Sequence, residues 1–171
     1  HPEWLSEIVI PAWRGRSEID LLHRHYNVPV YVDNDANLGA LAEHRWGAGR
    51  GVDDLTYVKL GYGVGAGFIL NGEIYRGGTG IAGEMGHVPI KTDGDECVCG
   101  LKGCLVTLVG GHAMETRVAD LLSKFPKSKL AGQETTLQNI ELAASEKDEL
   151  AMQLFQETAD YMSIAITGWI N

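Results

Sequence analysis

Residues 84–104 read Glu84-Met85-Gly86-His87-Val88-Pro89-Ile90-Lys91-Thr92-Asp93-Gly94-Asp95-Glu96-Cys97-Val98-Cys99-Gly100-Leu101-Lys102-Gly103-Cys104. All 3 cysteines of the chain fall in the last eight positions, and His87 stands ten residues before the first of them. Three thiolates and one imidazole complete the coordination of a tetrahedral, borderline-soft ion, so His87, Cys97, Cys99 and Cys104 read as a closed, structural zinc set without room for a catalytic water. The other reading is one disulfide plus a spare thiol. An odd cysteine count without a secretory signal speaks against an oxidised framework, and the single residue between Cys97 and Cys99 is poor geometry for a mutual bridge. Glu84 lies three residues from His87, and a carboxylate beside a pinned ligand is a good polar contact for a small substrate.

Outward from this stretch, the composition bounds the rest. The 171 residues are 44% hydrophobic and 22% charged, which is ordinary for a soluble globular protein with a substantial core. The longest apolar runs, such as Ile164-Ala165-Ile166, fall far short of the roughly 20 residues a bilayer requires, so no membrane partner is expected. No targeting segment opens the chain, and the expected location is cytoplasmic. A net charge of −9 repels a polyanion, so these residues are not expected to touch DNA themselves. The chain opens on His1-Pro2-Glu3-Trp4 and stops within a helical pattern at Trp169-Ile170-Asn171, and both ends are expected to be cut from something longer.

Upstream, a helix is expected over Ser17 to His25, and Val28-Pro29-Val30-Tyr31-Val32 reads as a buried strand. Asp33-Asn34-Asp35-Ala36-Asn37 then opens a helix, with Asp33 or Asn34 as N-cap and with Leu38, Leu41, Ala42 and Trp46 on one side. Gly47-Ala48-Gly49-Arg50-Gly51 is a flexible joint, where a boundary between two lobes is placed. Strands follow at 55–60, 67–70 and 73–76, the last two joined through Asn71-Gly72, the natural sequence for a type I′ hairpin. Residues 77–111 read as irregular and glycine-rich. Helices are expected from Ala113 to Lys124, from Leu137 to Ala144, and from Asp148 to the end, the last burying Leu150, Leu154, Phe155, Tyr161, Met162, Ala165 and Trp169.

Two further patterns carry chemistry. Gly61, Gly63, Gly65 and Gly67 alternate through Gly61-Tyr62-Gly63-Val64-Gly65-Ala66-Gly67, letting backbone approach an anion; alternating glycine also makes a tight bend in a hairpin. Asp35 can act as general base, taking a proton from a sugar hydroxyl that attacks a phosphoryl group, while Asn34 hydrogen-bonds the same sugar. The alternative is that the carboxylates at 33 and 35 only cap a helix.

Taken together, the DNDAN block at 33–37, LGYGVGAG at 60–67, GEMGH at 83–87 and CVCGLKGC at 97–104 resemble the ROK family of repressors and sugar kinases, over nearly the whole chain. The resemblance implies an α/β, ribonuclease-H-like, actin- and hexokinase-like fold of two lobes, truncated at both ends. Residues 1–50 would close the first lobe with the DNDAN helix, and residues 51–171 would form the second with its β-meander, zinc loop and helices. It further implies that Asp35 holds the catalytic-base position, that Asn34, Asp35, Glu84 and His87 contact sugar, that the glycine block is the second phosphate loop, and that a homo-oligomer forms.

The chain departs from the family pattern in three places. The first phosphate loop and the nucleotide-binding end of the second lobe are absent. Tyr62 replaces the small hydroxyl residue usual after the first glycine, and Val106 stands where a sugar-binding glutamate normally follows the last cysteine. A lost charged hydrogen bond is worth about 1.5–3 kcal/mol, enough to redirect sugar recognition. Residues 37–51, NLGALAEHRWGAGRG, resemble the regulator branch of N-acetylglucosamine and xylose repressors, which carry a DNA-binding head before the lobes. The expectation is therefore a sugar-sensing effector domain for a sugar or amino sugar, contacting DNA only through a missing N-terminal domain. The alternative is an ATP- and magnesium-dependent sugar kinase resembling glucokinase or N-acetylmannosamine kinase.

Overall fold

The structure, a computed structural model, describes residues 18–170. The described residues divide into two compact units, 18–57 with 67–83, and 58–66 with 84–170. The elements are helix α1 (Glu18–Tyr26), helix α2 (Asp35–Trp46), strands β1 (Leu55–Leu60), β2 (Val64–Leu70) and β3 (Glu73–Tyr75), a 3₁₀ turn at Met85–His87, helices α3 (Leu105–Val109) and α4 (Gly111–Leu121), a second 3₁₀ turn at Leu122–Lys124, and helices α5 (Leu137–Ser145) and α6 (Glu149–Ile170). Ser17, the expected start of α1, lies outside the described residues.

The three strands form one sheet in the order β1-β2-β3. The β2–β3 hairpin pairs Phe68 with Tyr75, Ile69 with Ile74 and Leu70 with Glu73. Asn71 and Gly72 both have positive φ, 52° and 78°, as the type I′ turn demands. The turn is tied down by Asn71 N–H to Asp54 Oδ1 (3.0 Å) and Gly72 N–H to the Asp53 carbonyl (2.8 Å).

In the first unit, two sequence expectations need correction. The run 28–32 lies in no strand, with Tyr31 90% and Val32 63% exposed. β-Branched residues favour a pleated surface only where neighbouring strands supply one, and none among the described residues pairs with this run. On α2, Leu38 and Trp46 face outward, and the buried positions are Ala36, Asn37 and Ala40. Small residues win because helix and sheet approach too closely for large ones. A Cβ on Gly67 of β2 would collide with the Ala36 carbonyl and sit 2.7 Å from Ala40 Cβ, and one on Gly39 would sit 2.5 Å from the Tyr57 ring.

The second unit holds two apolar clusters. One joins Met114, Val118 and Leu121 of α4 to Ile140 and Ala143 of α5 and to Leu150, Ala151 and Leu154 of α6. The other gathers Val64, Leu105, Val109, Met162 and Ala165. The expected buried face of α6 thus serves both clusters, with Phe155, Tyr161 and Trp169 half-buried beside them. Thr136 caps α5 by accepting from Asn139 N–H at 3.2 Å. Asp148 caps α6 by accepting from Ala151 N–H at 3.1 Å. Residues 77–111 are largely irregular, but Leu105–Val109 is helical despite its β-branched composition, because burial of Leu105 and Val109 against α6 outweighs weak local preference.

Candidate functional site

In the second unit, the structure brings His87, Cys97, Cys99 and Cys104 together, one ligand atom from each lying within 4.8 Å of all the others. His87 Nδ1 is 3.3 Å from Cys97 Sγ, and Cys99 Sγ is 3.6 Å from Cys104 Sγ. Metal–sulfur bonds of about 2.3 Å at tetrahedral angles space sulfurs about 3.7 Å apart, so the donor spacing fits such an ion. None of the three cysteines is in a disulfide in this structure. Burial, with the neighbouring thiols of Cys99 and Cys97, pushes Cys104 up to about 12. A backbone hydrogen bond from Leu101 leads in pulling the Cys99 thiol down. A divalent cation among three sulfurs overrides such differences, since a coordinated thiol is deprotonated outright.

The local backbone explains why the ligands converge. Cys97 N–H donates to the Leu101 carbonyl (2.8 Å) and Gly100 N–H to the Cys97 carbonyl (2.9 Å), a tight turn that Gly100 permits with φ 88°. Gly103 (φ 62°) passes so close to the Lys91 carbonyl that a Cβ would collide with it. Leu105 N–H then donates to the Val88 carbonyl at 3.0 Å, fastening the last ligand beside the histidine. Glu84, half-buried, precedes the 3₁₀ turn that carries His87, and Gly86 lies against Val64 with no space for a side chain. Val106 is half-buried and packs on the cluster of Leu105, Val109 and Met162.

The glycine block divides between two roles. Gly61 and Gly63 sit in the β1–β2 turn, where an added Cβ would meet nothing within 4 Å. Gly65 and Gly67 belong to β2. Tyr62, between the first two, lies over the start of α4: Gly111 N–H donates to the Gly61 carbonyl (2.9 Å), and a Cβ on Gly111 would stand 3.0 Å from the Tyr62 ring. The Tyr62 hydroxyl donates to Glu115 Oε1 (2.8 Å), which also accepts Leu137 N–H (3.0 Å). The hydrogen bond to Glu115 raises the Tyr62 phenol above its ordinary value.

In the first unit, Asn34 is the N-cap of α2, its Oδ1 accepting from Ala36 N–H at 2.8 Å. Asp35 is exposed in the first helical turn, where the helix dipole favours a carboxylate. Asp33 does not cap. Its Oδ1 accepts Asn34 N–H and Asn37 Nδ2, both at 2.8 Å, and its Oδ2 accepts Arg76 Nε at 3.0 Å and Nη2 at 2.5 Å. Burial works to raise the Asp33 carboxyl, but the bonds from Asn37, Arg76 and Asn34 together hold it below its ordinary value. Sequence reasoning missed Arg76 and Glu115 altogether. Arg76 and Asp33 are 43 residues apart, Tyr62 and Glu115 are 53 apart, and no local pattern announces such pairs.

The chain is 32% identical over 163 residues to the xylose repressor of Caldicellulosiruptor bescii, covering 93% of this chain and 41% of that protein. It is 34% identical over 168 residues to the N-acetylglucosamine repressor of Escherichia coli O157:H7, covering 98% of this chain and again 41% of the relative. It therefore spans about two fifths of the length of these repressors. Among solved structures it superposes with a TM-score of 0.82 on a ROK family glucokinase from Streptomyces griseus in complex with glucose and AMPPNP, at 32% identity, covering 92% of this chain and 53% of that one. The fold is thus the actin- and hexokinase-like α/β type. The ROK family model matches residues 8–171, and the chain belongs to the ROK family.

Proposed function

We propose that this chain is the sugar-sensing effector part of a ROK transcriptional regulator, with zinc held by His87, Cys97, Cys99 and Cys104. In this reading residues 1–50 belong to the first lobe and 51–171 to the second. Asn34, Asp35, Glu84 and His87 contact the sugar, and DNA is bound by a segment outside these residues of a cytoplasmic homo-oligomer. Three sulfurs and an imidazole suit zinc over harder ions. With Nδ1 of His87 turned to the sulfurs, Nε2 is the nitrogen that addresses a sugar hydroxyl. Asn34 spends its carbonyl oxygen on the cap, so its amide group is the part that reaches a ligand.

The observation that carries the sensor reading is Tyr62. A bulky phenol hydrogen-bonded to Glu115 fills the position where a phosphate loop needs a small hydroxyl, and Gly65 and Gly67 are committed to β2. A sugar then acts by preferring one conformation of the whole protein, and it shifts the DNA-binding equilibrium only by that difference in affinity. The experiment is thermal melting of the full-length protein with glucose, xylose and N-acetylglucosamine, followed by ATP, magnesium and the same sugars in a turnover assay. A melting shift without turnover is expected. ATP-dependent turnover abolished by Asp35→Asn overturns the sensor reading in favour of the kinase, a reading that the exposed Asp35 at the start of α2 supports.

A further inference from the structure

We propose that Arg76 is the positioning residue for the sugar-contacting segment at Asn34 and Asp35, an inference that rests on the sugar reading above. Its side chain and its backbone act on different stretches of chain. The guanidinium donates Nε and Nη2 to Asp33 Oδ2, while Asp33 Oδ1 accepts the peptide N–H of Asn34. The residue that contacts sugar through its amide is therefore held at its own backbone nitrogen by a carboxylate that Arg76 neutralises. The Arg76 carbonyl in turn accepts Ala82 N–H at 3.1 Å, closing the loop that ends two residues before Glu84. Gly77, with φ 72° and a Cβ position 3.3 Å from Ala82 Cβ, lets that loop turn back tightly.

The bonding of Asn37 shows how far the local structure is committed to this network. Asn37 is 2% exposed and gives its amide group to Asp33, while its Oδ1 is buried with no partner. An orphaned buried carbonyl oxygen is normally avoided. Here the bond to Asp33 fixes the amide orientation. Asp33, with a side chain only 15% exposed, accepts four donors, and removing the cationic pair leaves a mostly buried carboxylate with neutral partners alone. The peptide at Asn34 then loses its fixed orientation, although no sugar-touching atom has been changed.

The test is calorimetric titration of zinc-loaded full-length protein with glucose, xylose and N-acetylglucosamine, comparing wild type, Arg76→Ala, Arg76→Lys and the double variant Asp33→Asn/Arg76→Ala. Arg76→Ala keeps the carbonyl bond to Ala82, so it isolates the side chain. Its Kd for the sugar that wild type binds is expected to rise about tenfold, through the lost orientation of the Asn34 peptide. Arg76→Lys should recover part of that, and the double variant should be no weaker than Arg76→Ala alone. A merely structural arginine would lower the melting temperature and leave Kd within twofold, which overturns the inference. If Arg76→Ala does not fold, an Arg76→Lys protein with wild-type Kd overturns it equally. A wild-type protein that binds none of the three sugars defeats the sugar reading itself, and the inference with it.

Discussion

The loop 84–104 and the helical half built from α4, α5 and α6 belong to one unit and reach order by opposite means. The loop buries few large apolar side chains; it is set by glycine turns and backbone bonds and gathers the donor atoms of His87, Cys97, Cys99 and Cys104. The helical half has Val118, Ile140 and Leu150 fully buried and derives its order from apolar area. In the loop, therefore, single atoms are irreplaceable. In the helices, residue class and spacing suffice, and losses are graded with volume.

The sharpest way to break this contrast is to take away one ligand. Cys104→Ser places a poor ligand at the most buried corner of the cluster, where the native side chain is 0% exposed. Structural zinc sites in small peptides are worth about 10–16 kcal/mol of apparent binding, and a site of this kind is also the local folding energy. On the proposed zinc reading, wild type is expected to purify with about one zinc and the variant without it, and the variant to lose amide protection across 85–104 while α4, α5 and α6 keep theirs. Hydrogen exchange with metal analysis reads both. Equal protection in metal-free protein would show that the backbone bonds alone order the loop.

Leu150→Ala probes the other side. Leu150 is 0% exposed among Met114, Ile140 and Leu154, and truncation of such a side chain costs about 2–5 kcal/mol through lost burial and the cavity left behind. Denaturant melts should show that loss with zinc stoichiometry unchanged. Loss of zinc as well would mean the two regions fold as one.

Asp148 sharpens the comparison, because it is a polar device inside the apolar half. It is 7% exposed and accepts from Ser128 Oγ (3.0 Å), Lys129 N–H (2.7 Å) and Ala151 N–H (3.1 Å). Burial raises its carboxyl, but the amides of Lys129 and Ala151, with Ser128, overcome this and hold it below the ordinary 3.8. The stability it contributes is whole above 3.8 and is lost as pH falls through the lower folded value. Asp148→Ala is expected to cost about 1–2 kcal/mol near neutral pH, typical of a lost cap, and to flatten the acid limb of a stability-against-pH curve. An unchanged acid limb would assign that limb to other carboxylates.

The same contrast explains what could be read from the amino-acid order. That His87, Cys97, Cys99 and Cys104 would come together was legible, because metal chemistry restricts residue type and spacing together. The α6 face was legible because burial repeats with the helix. The burial of α2 was not: a helix pressed onto a sheet through Ala36, Ala40, Gly39 and Gly67 conceals its contact face among small residues, while its large side chains draw attention to the wrong side. Nor was the run 28–32, whose composition states a preference for a sheet without stating which strand would pair with it. The Asp33–Arg76 pair escaped because its members meet only once the β2–β3 hairpin has folded back.

The smallest expected effect concerns the feature that looks most like a clasp. Glu96 and Lys102 face each other across an antiparallel bridge that flanks the cysteines, with charged atoms 3.5 Å apart. Both side chains are open to water, 84% and 61% exposed, so the attraction is screened and ordering two long side chains offsets most of it. Lys102→Ala should change stability by no more than about 0.5 kcal/mol and leave zinc occupancy at wild-type level. The bridge itself is backbone, which alanine preserves, and Gly103 beside it is held by its left-handed φ and its contact with Lys91, neither of which involves the charge. A large loss in chelator-challenged Lys102→Ala would move the weight of the loop from its ligands and turns to its surface charges, and the contrast with the helical half would then be one of polarity alone.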